Sequence, residues 1–121
     1  MDPTDLGRRG EEEAARFLER EGWRVVGRNV RVGRCEVDLI VTRGDVLAFV
    51  EVKSRRGVEF GDPLAAISYK KQQCVSRAAA GWLRDRKGGA GMEIRFDAVG
   101  VVWPRDGPPR VFHVPDAWRM G

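Results

Sequence analysis

The residues whose types and spacing suggest chemistry lie in two short runs. Cys35-Glu36-Val37-Asp38-Leu39-Ile40 and Phe49-Val50-Glu51-Val52-Lys53 flank the turn signal Arg43-Gly44-Asp45. If the hairpin closes through Gly44-Asp45, the commonest loop length, facing residues have numbers summing to 89, which sets Asp38 opposite Glu51 and Glu36 opposite Lys53. Side chains alternate with period two, so all four are expected on one face, with paired Cβ atoms about 5 Å apart. Two carboxylates this close repel unless something positive intervenes.

A bound divalent cation, a proton held on one carboxyl, and neutralisation by Lys53 all answer that repulsion. Mg²⁺ takes oxygen ligands and needs only one or two carboxylates, filling its octahedron with water and substrate phosphate. Asp38 and Glu51 meet that demand, and Lys53 stands where it orients a water or balances phosphate charge. The competing description is a solvated strand end in which Glu36 and Lys53 form a weak surface ion pair. Toward the turn the same face carries Ile40, Leu47 and Phe49, a core pattern.

Other candidates lie outside the hairpin. Glu11 falls at the edge of an apolar helical stripe while Glu12 and Glu13 point elsewhere, and it either seeks a partner at the cluster or complements the helix dipole with its neighbours. Lys71, between Ile67 and Val75, either reaches a phosphate or snorkels along the sheet. Arg55 and Arg56 stand where a nucleic-acid backbone would pass, or are solvated loop residues. Asp97 reads as structural, His113 as hydrogen-bonded or superficial, and Trp23, Trp82, Trp103 and Trp118 as packing residues in the core and at a dimer contact.

These residues need a scaffold, and the periodicity supplies one. A helix starts at Pro3-Thr4-Asp5 and runs to Gly22. Strands follow over 24–32, bent at Gly27, then over 36–42 and 46–53. Residues 54–61 read as a mobile loop, and Asp62-Pro63 opens a second helix running to about Arg86, before Gly88-Gly89. Strands over 94–103 and 110–114 complete the order α-β-β-β-α-β-β. The expectation is one α/β domain over 1–121, with a mixed sheet of about five strands flanked by helices.

A chain of 121 residues with 42% hydrophobic and 33% charged content buries one core without needing a staple. Cys35 and Cys74 have neither zinc spacing nor a disulfide framework, and both are expected to be reduced. The net charge is +4 and only four basic residues are lysines (Lys53, Lys70, Lys71 and Lys87), so arginine dominates, which suits phosphate but also fits compositional bias. No apolar run spans a bilayer, and the acidic start Met1-Asp2-Pro3-Thr4-Asp5 does not resemble a secretion signal, so a cytoplasmic location without membrane contact is expected.

Asp38 followed by Glu51-Val52-Lys53 resembles the PD-(D/E)xK nuclease motif. The wider series of Gly7, Glu11, Arg28-Asn29, Glu36-Val37-Asp38-Leu39-Ile40, Phe49-Val50-Glu51-Val52-Lys53, Phe60-Gly61, Lys71 and Arg95-Phe96-Asp97 is similar to the small bacterial YraN family of predicted endonucleases. The resemblance implies a restriction-endonuclease-like fold close to the Holliday junction resolvases, which are Mg²⁺-dependent homodimers cutting branched DNA. It implies Asp38, Glu51 and Glu11 as ligands of Mg²⁺ or Mn²⁺, and Lys53 as the fourth catalytic residue. Arg55, Arg56 and Lys71 would steer DNA, branched or single-stranded. Cys35 departs from the pattern, standing where a glycine is usual. A non-catalytic DNA-structure-binding module on the same fold is the alternative from another class.

Overall fold

The computed structural model describes residues 2–57, 62–86 and 90–119. Asp2 caps the first helix, its side chain accepting from the Asp5 N–H, and Pro3 occupies the first turn, where its missing N–H costs nothing. Helix α1 spans Pro3–Arg20, followed by β1 (Arg24–Val32), β2 (Cys35–Arg43), β3 (Val46–Arg56), α2 (Tyr69–Arg86), β4 (Glu93–Trp103) and β5 (Arg110–Trp118). The order is the expected α-β-β-β-α-β-β.

The five strands form one sheet in sequential order, β1-β2-β3-β4-β5. Every neighbouring pair is antiparallel except β3–β4, which runs parallel because α2 carries the chain back across the sheet. Helix α1 buries Ala14, Ala15 and Leu18 against Leu39, Val41, Ala48, Val50, Val99 and Val101 on one face. On the other, α2 buries Val75, Ala78 and Ala79 against Ile40, Leu47, Phe49, Phe96 and Trp118. The tryptophans pack as expected, with Trp23 and Trp118 buried and Trp82 and Trp103 leaning on the two cores.

The hairpin register is the expected one, from Arg43–Val46 to Leu39–Val50. Four local expectations are corrected. Strand β3 continues to Arg56, taking Ser54, Arg55 and Arg56 out of the supposed loop; 58–61 lie outside the described residues, as do Gly88 and Gly89. The second helix is interrupted: Pro63–Ala66 form a 3₁₀ turn, Ile67 is extended, and α2 starts at Tyr69, with the Ser68 hydroxyl accepting from the Lys71 N–H. Strand β5 reaches Trp118 because Asp97 accepts the Asp116 N–H across an irregular register. Finally, Cys35 and Cys74 are joined in a disulfide, their Cα atoms 5.4 Å apart across a sequence separation of 39. Folding lays the start of β2 beneath the second turn of α2, a juxtaposition that spacing alone does not encode.

A further correction concerns the facing of β2. Cys35 and Val37 pack toward α2, yet Leu39 packs toward α1 and Ile40 toward α2. Two residues apart, Val37 and Leu39 occupy opposite faces. The partner strand breaks at the same level: Val30 packs toward α2, while Arg28 pairs with Leu39 and lines a cleft with Glu11 of α1. Between the pairs Arg28–Leu39 and Val30–Val37 stand Asn29, whose φ is 47°, and Asp38. Strict period two therefore fails at Asp38, and Glu36, Asp38, Glu51 and Lys53 do not share one face.

Candidate active site

The break in alternation decides where the carboxylates go. Asp38 drops out of the β2–β3 ladder, and its Oδ2 accepts the Val52 N–H at 2.8 Å, a side chain replacing a carbonyl. Glu51 projects toward α2, where its Oε2 lies 3.8 Å from the Lys71 ammonium. The residue is only 2% exposed, and its Oε1 has no hydrogen-bond partner among the described residues. Glu11 comes down from α1 and interacts with Asp38 and the Asn29 side chain.

The electrostatics follow from this crowding. Burial, then the Asp38 charge, push the Glu51 carboxyl up to about 8, with Lys71 and Lys53 opposing. Burial also raises Asp38, held back by the Val52 N–H and by Glu51, which carries the proton in their mutual hydrogen bond. Glu11 is pushed up to about 7 by burial and the Asp38 charge, and the Asn29 hydrogen bond works in the other direction. Three carboxyls thus titrate abnormally high around one point, the pattern expected where a site is built for function and not for stability.

Glu11, Asp38, Glu51 and Lys71 are brought together, and Lys53 stands two residues beyond Glu51, close enough for its charge to act there. Arg55 and Arg56 are exposed at the end of β3, alongside Val102 and Trp103. Glu36 lies 4.0 Å from Arg31 on the neighbouring strand, its charge still acting on Glu11 and Asp38. Asn29 was not singled out as a site residue; the signal that points to it is a turn-forming residue two after Gly27, inside an otherwise β-branched run. Among the described residues no three His, Cys, Asp or Glu side chains stand as a ready-made cage for a metal. The donor set nevertheless fits a hard cation, because two buried carboxyls share a proton where a cation could replace it, and the Glu51 Oε1 lacks a hydrogen-bond partner among the described residues.

A second acidic residue, Asp97, is fully buried but differently served. Burial favours its protonated form, yet His113, two Arg95 donors and the Asp116 N–H hold the carboxyl below its usual range. Every oxygen is satisfied, and Asp97 with His113 ties β5 to β4. A surface cleft of about 260 Å³, lined by Tyr69, Gln72, Arg77 and Trp118 among others, contains none of the clustered carboxylates.

Residues 10–101, which include every member of this cluster, match the family described as uncharacterised protein family UPF0102. The chain belongs to the UPF0102 (YraN) family. It is 43% identical to a UPF0102 protein of Rhodococcus jostii over 113 residues, covering 93% of this chain and 95% of that one. It is 40% identical to one of Geobacter sulfurreducens over 115 residues, covering 95% and 89%. A UPF0102 protein of Desulfosudis oleivorans is 46% identical over 100 residues, covering 83% and 80%. Among the described residues no helix is long and apolar enough to cross a membrane.

Proposed function

We propose that this UPF0102 protein is a metal-dependent endonuclease hydrolysing DNA phosphodiester bonds, with branched or junction DNA among the candidate substrates. The observation that carries the reading is the buried Asp38–Glu51 pair: one partnerless oxygen, a proton in place of a counter-charge, and a lysine on either side. Asp38 and Glu51 would hold Mg²⁺ or Mn²⁺, with Glu11 supporting the ion or its water. When bound, the cation polarises the phosphodiester and neutralises charge that builds up in the transition state.

The chain's own residues do the rest. The Val52 N–H fixes the Asp38 carboxylate, so one of its oxygens stays oriented without help from substrate. Glu11, raised to about 7, exchanges a proton with water near neutral pH. Lys53 orients the attacking water and Lys71 swings from Glu51 to a phosphate oxygen as charge builds there. Arg55 and Arg56 lead the backbone toward the strand end. One observation favours the non-catalytic alternative: Lys71 at 3.8 Å already offsets the Glu51 charge without any metal.

Calorimetric titration of Mg²⁺ and Mn²⁺ into the wild type and an Asp38→Asn/Glu51→Gln variant tests the reading, paired with cleavage assays on branched, single-stranded and duplex DNA. Binding and cleavage in the wild type, both lost in the variant, are expected. DNA binding by both proteins with no metal uptake and no cleavage would sink the enzymatic reading and leave the binding module.

A further inference from the structure

On the α1 side of the centre lies a cleft of about 140 Å³, of whose walls the mechanism above uses Glu11 alone. Its walls are Arg8, Glu11 and Glu12 from α1 and Arg28, Asn29 and Leu39 from the sheet. The strand that supplies Arg28 is irregular on both sides of it. A register shift falls between Val25 and Gly27, and a side chain at Gly27 would press within 2.9 Å of Val30 and 3.3 Å of Ile40. Asn29 takes a left-handed backbone, which asparagine tolerates better than other non-glycine residues. These two departures turn Arg28 toward α1 while Val30 returns to the α2 core.

The ion pairs around the cleft distinguish its two arginines. Arg8 is engaged by Asp5 at 2.7 Å, and the neighbouring Glu12 by Arg16 at 3.3 Å. Among the described residues Arg28 has no ion pair, although it shares the cleft with Glu11, which is itself in contact with Asp38. An exposed guanidinium in no ion pair, set by the backbone on the side of the cleft next to the Glu11–Asp38 contact, is free to meet a phosphate bidentately.

Resting on the nuclease reading and deepening it, we propose that this cleft is a phosphate subsite for the DNA backbone. In it Arg28 holds the phosphate neighbouring the one at Asp38 and Glu51, and Asn29 is the positioning residue whose left-handed backbone aims Arg28. DNA therefore passes the centre on the α1 side as well as along Lys71 and the end of β3. Asn29 contributes twice, by its backbone and by the hydrogen bond that keeps Glu11 turned toward Asp38.

The test is fluorescence anisotropy of a labelled branched DNA in chelator, so that nothing is cut, across a salt series. Removing one phosphate contact should lower the slope of log K against log salt by about 0.9. Arg28→Ala is expected to show that drop, whereas Arg24→Ala, which removes an exposed arginine at the start of the same strand, keeps the wild-type slope. Asn29→Gly, able to adopt the same backbone, should also keep it, and Asn29→Val should lose it with Arg28 intact. A wild-type slope in Arg28→Ala, an equal drop in Arg24→Ala, or a wild-type slope in Asn29→Val overturns the inference while leaving DNA binding standing. No binding by the wild type at any salt overturns the DNA reading itself, and this subsite with it.

Discussion

Replacing Glu51 by glutamine should stabilise the protein at pH 8 and change little at pH 4. The folded state holds the Glu51 proton up to about 8, against an ordinary value of 4.5. A carboxyl whose folded value is raised favours the native state fully below the unfolded value, and that contribution is lost as pH rises toward the folded one. At 1.36 kcal/mol per unit over about 3.5 pH units, the wild type forgoes on the order of 5 kcal/mol between about pH 4.5 and pH 8. Glutamine keeps the shape, carries no charge, and can donate to the Asp38 carboxylate in place of the lost proton. Urea unfolding of both proteins in chelator, at several values across that window, gives the difference directly. A gap that widens with pH and levels off near pH 8 is the expected result. A variant less stable than the wild type at pH 8, or a gap independent of pH, would refute the reasoning that burial and Asp38 repulsion set the state of Glu51.

Reduction of the Cys35–Cys74 bridge, which closes a loop with a sequence separation of 39, should cost about 4 kcal/mol by loop entropy and lower Tm on the order of 10 °C. Thermal melts with and without a phosphine reductant, with thiols counted, check this; an unchanged Tm once both thiols are free would refute it. Gly10→Ala would drive a methyl group into the Ser54 side chain, whose hydroxyl accepts from Trp103 Nε1 at 2.7 Å. Overpacking of this kind costs about 1–3 kcal/mol, and because Glu11 is the next residue on the helix, cleavage should fall further than the loss of folded protein explains.

Much of the centre was legible because its logic is local. The Gly44-Asp45 loop sets the register of β2 against β3 as far as Leu39–Val50, and that register carries Asp38 to the neighbourhood of Glu51 although Asp38 itself leaves the ladder. Glu11 and Lys71 could be read as leaning inward from helical periodicity, which is likewise a local property. The order of elements follows from where periods of 3.6 and 2 alternate along the chain. The break of the second helix at Ile67-Ser68 was not readable, since the inward stripe from Leu64 to Trp82 continues through it and only the extended Ile67 backbone interrupts it.

Composition, hairpin register and helical stripes, all interactions within a few residues of sequence, were therefore determined by the sequence itself. Tertiary structure alone decided the Cys35–Cys74 bridge, the four-fold satisfaction of Asp97, and the change of face at Asn29 and Asp38. Each depends on partners brought from other elements by packing: a helix turn above a strand, a histidine on the edge strand, two helices claiming opposite faces of one sheet. Period-two alternation places Asp38 and Glu36 on one face. Burying Val37 under α2 and Leu39 under α1 forbids that, because two apolar cores outweigh the regularity of one strand, and the residue left between them is the carboxylate at the centre of the site.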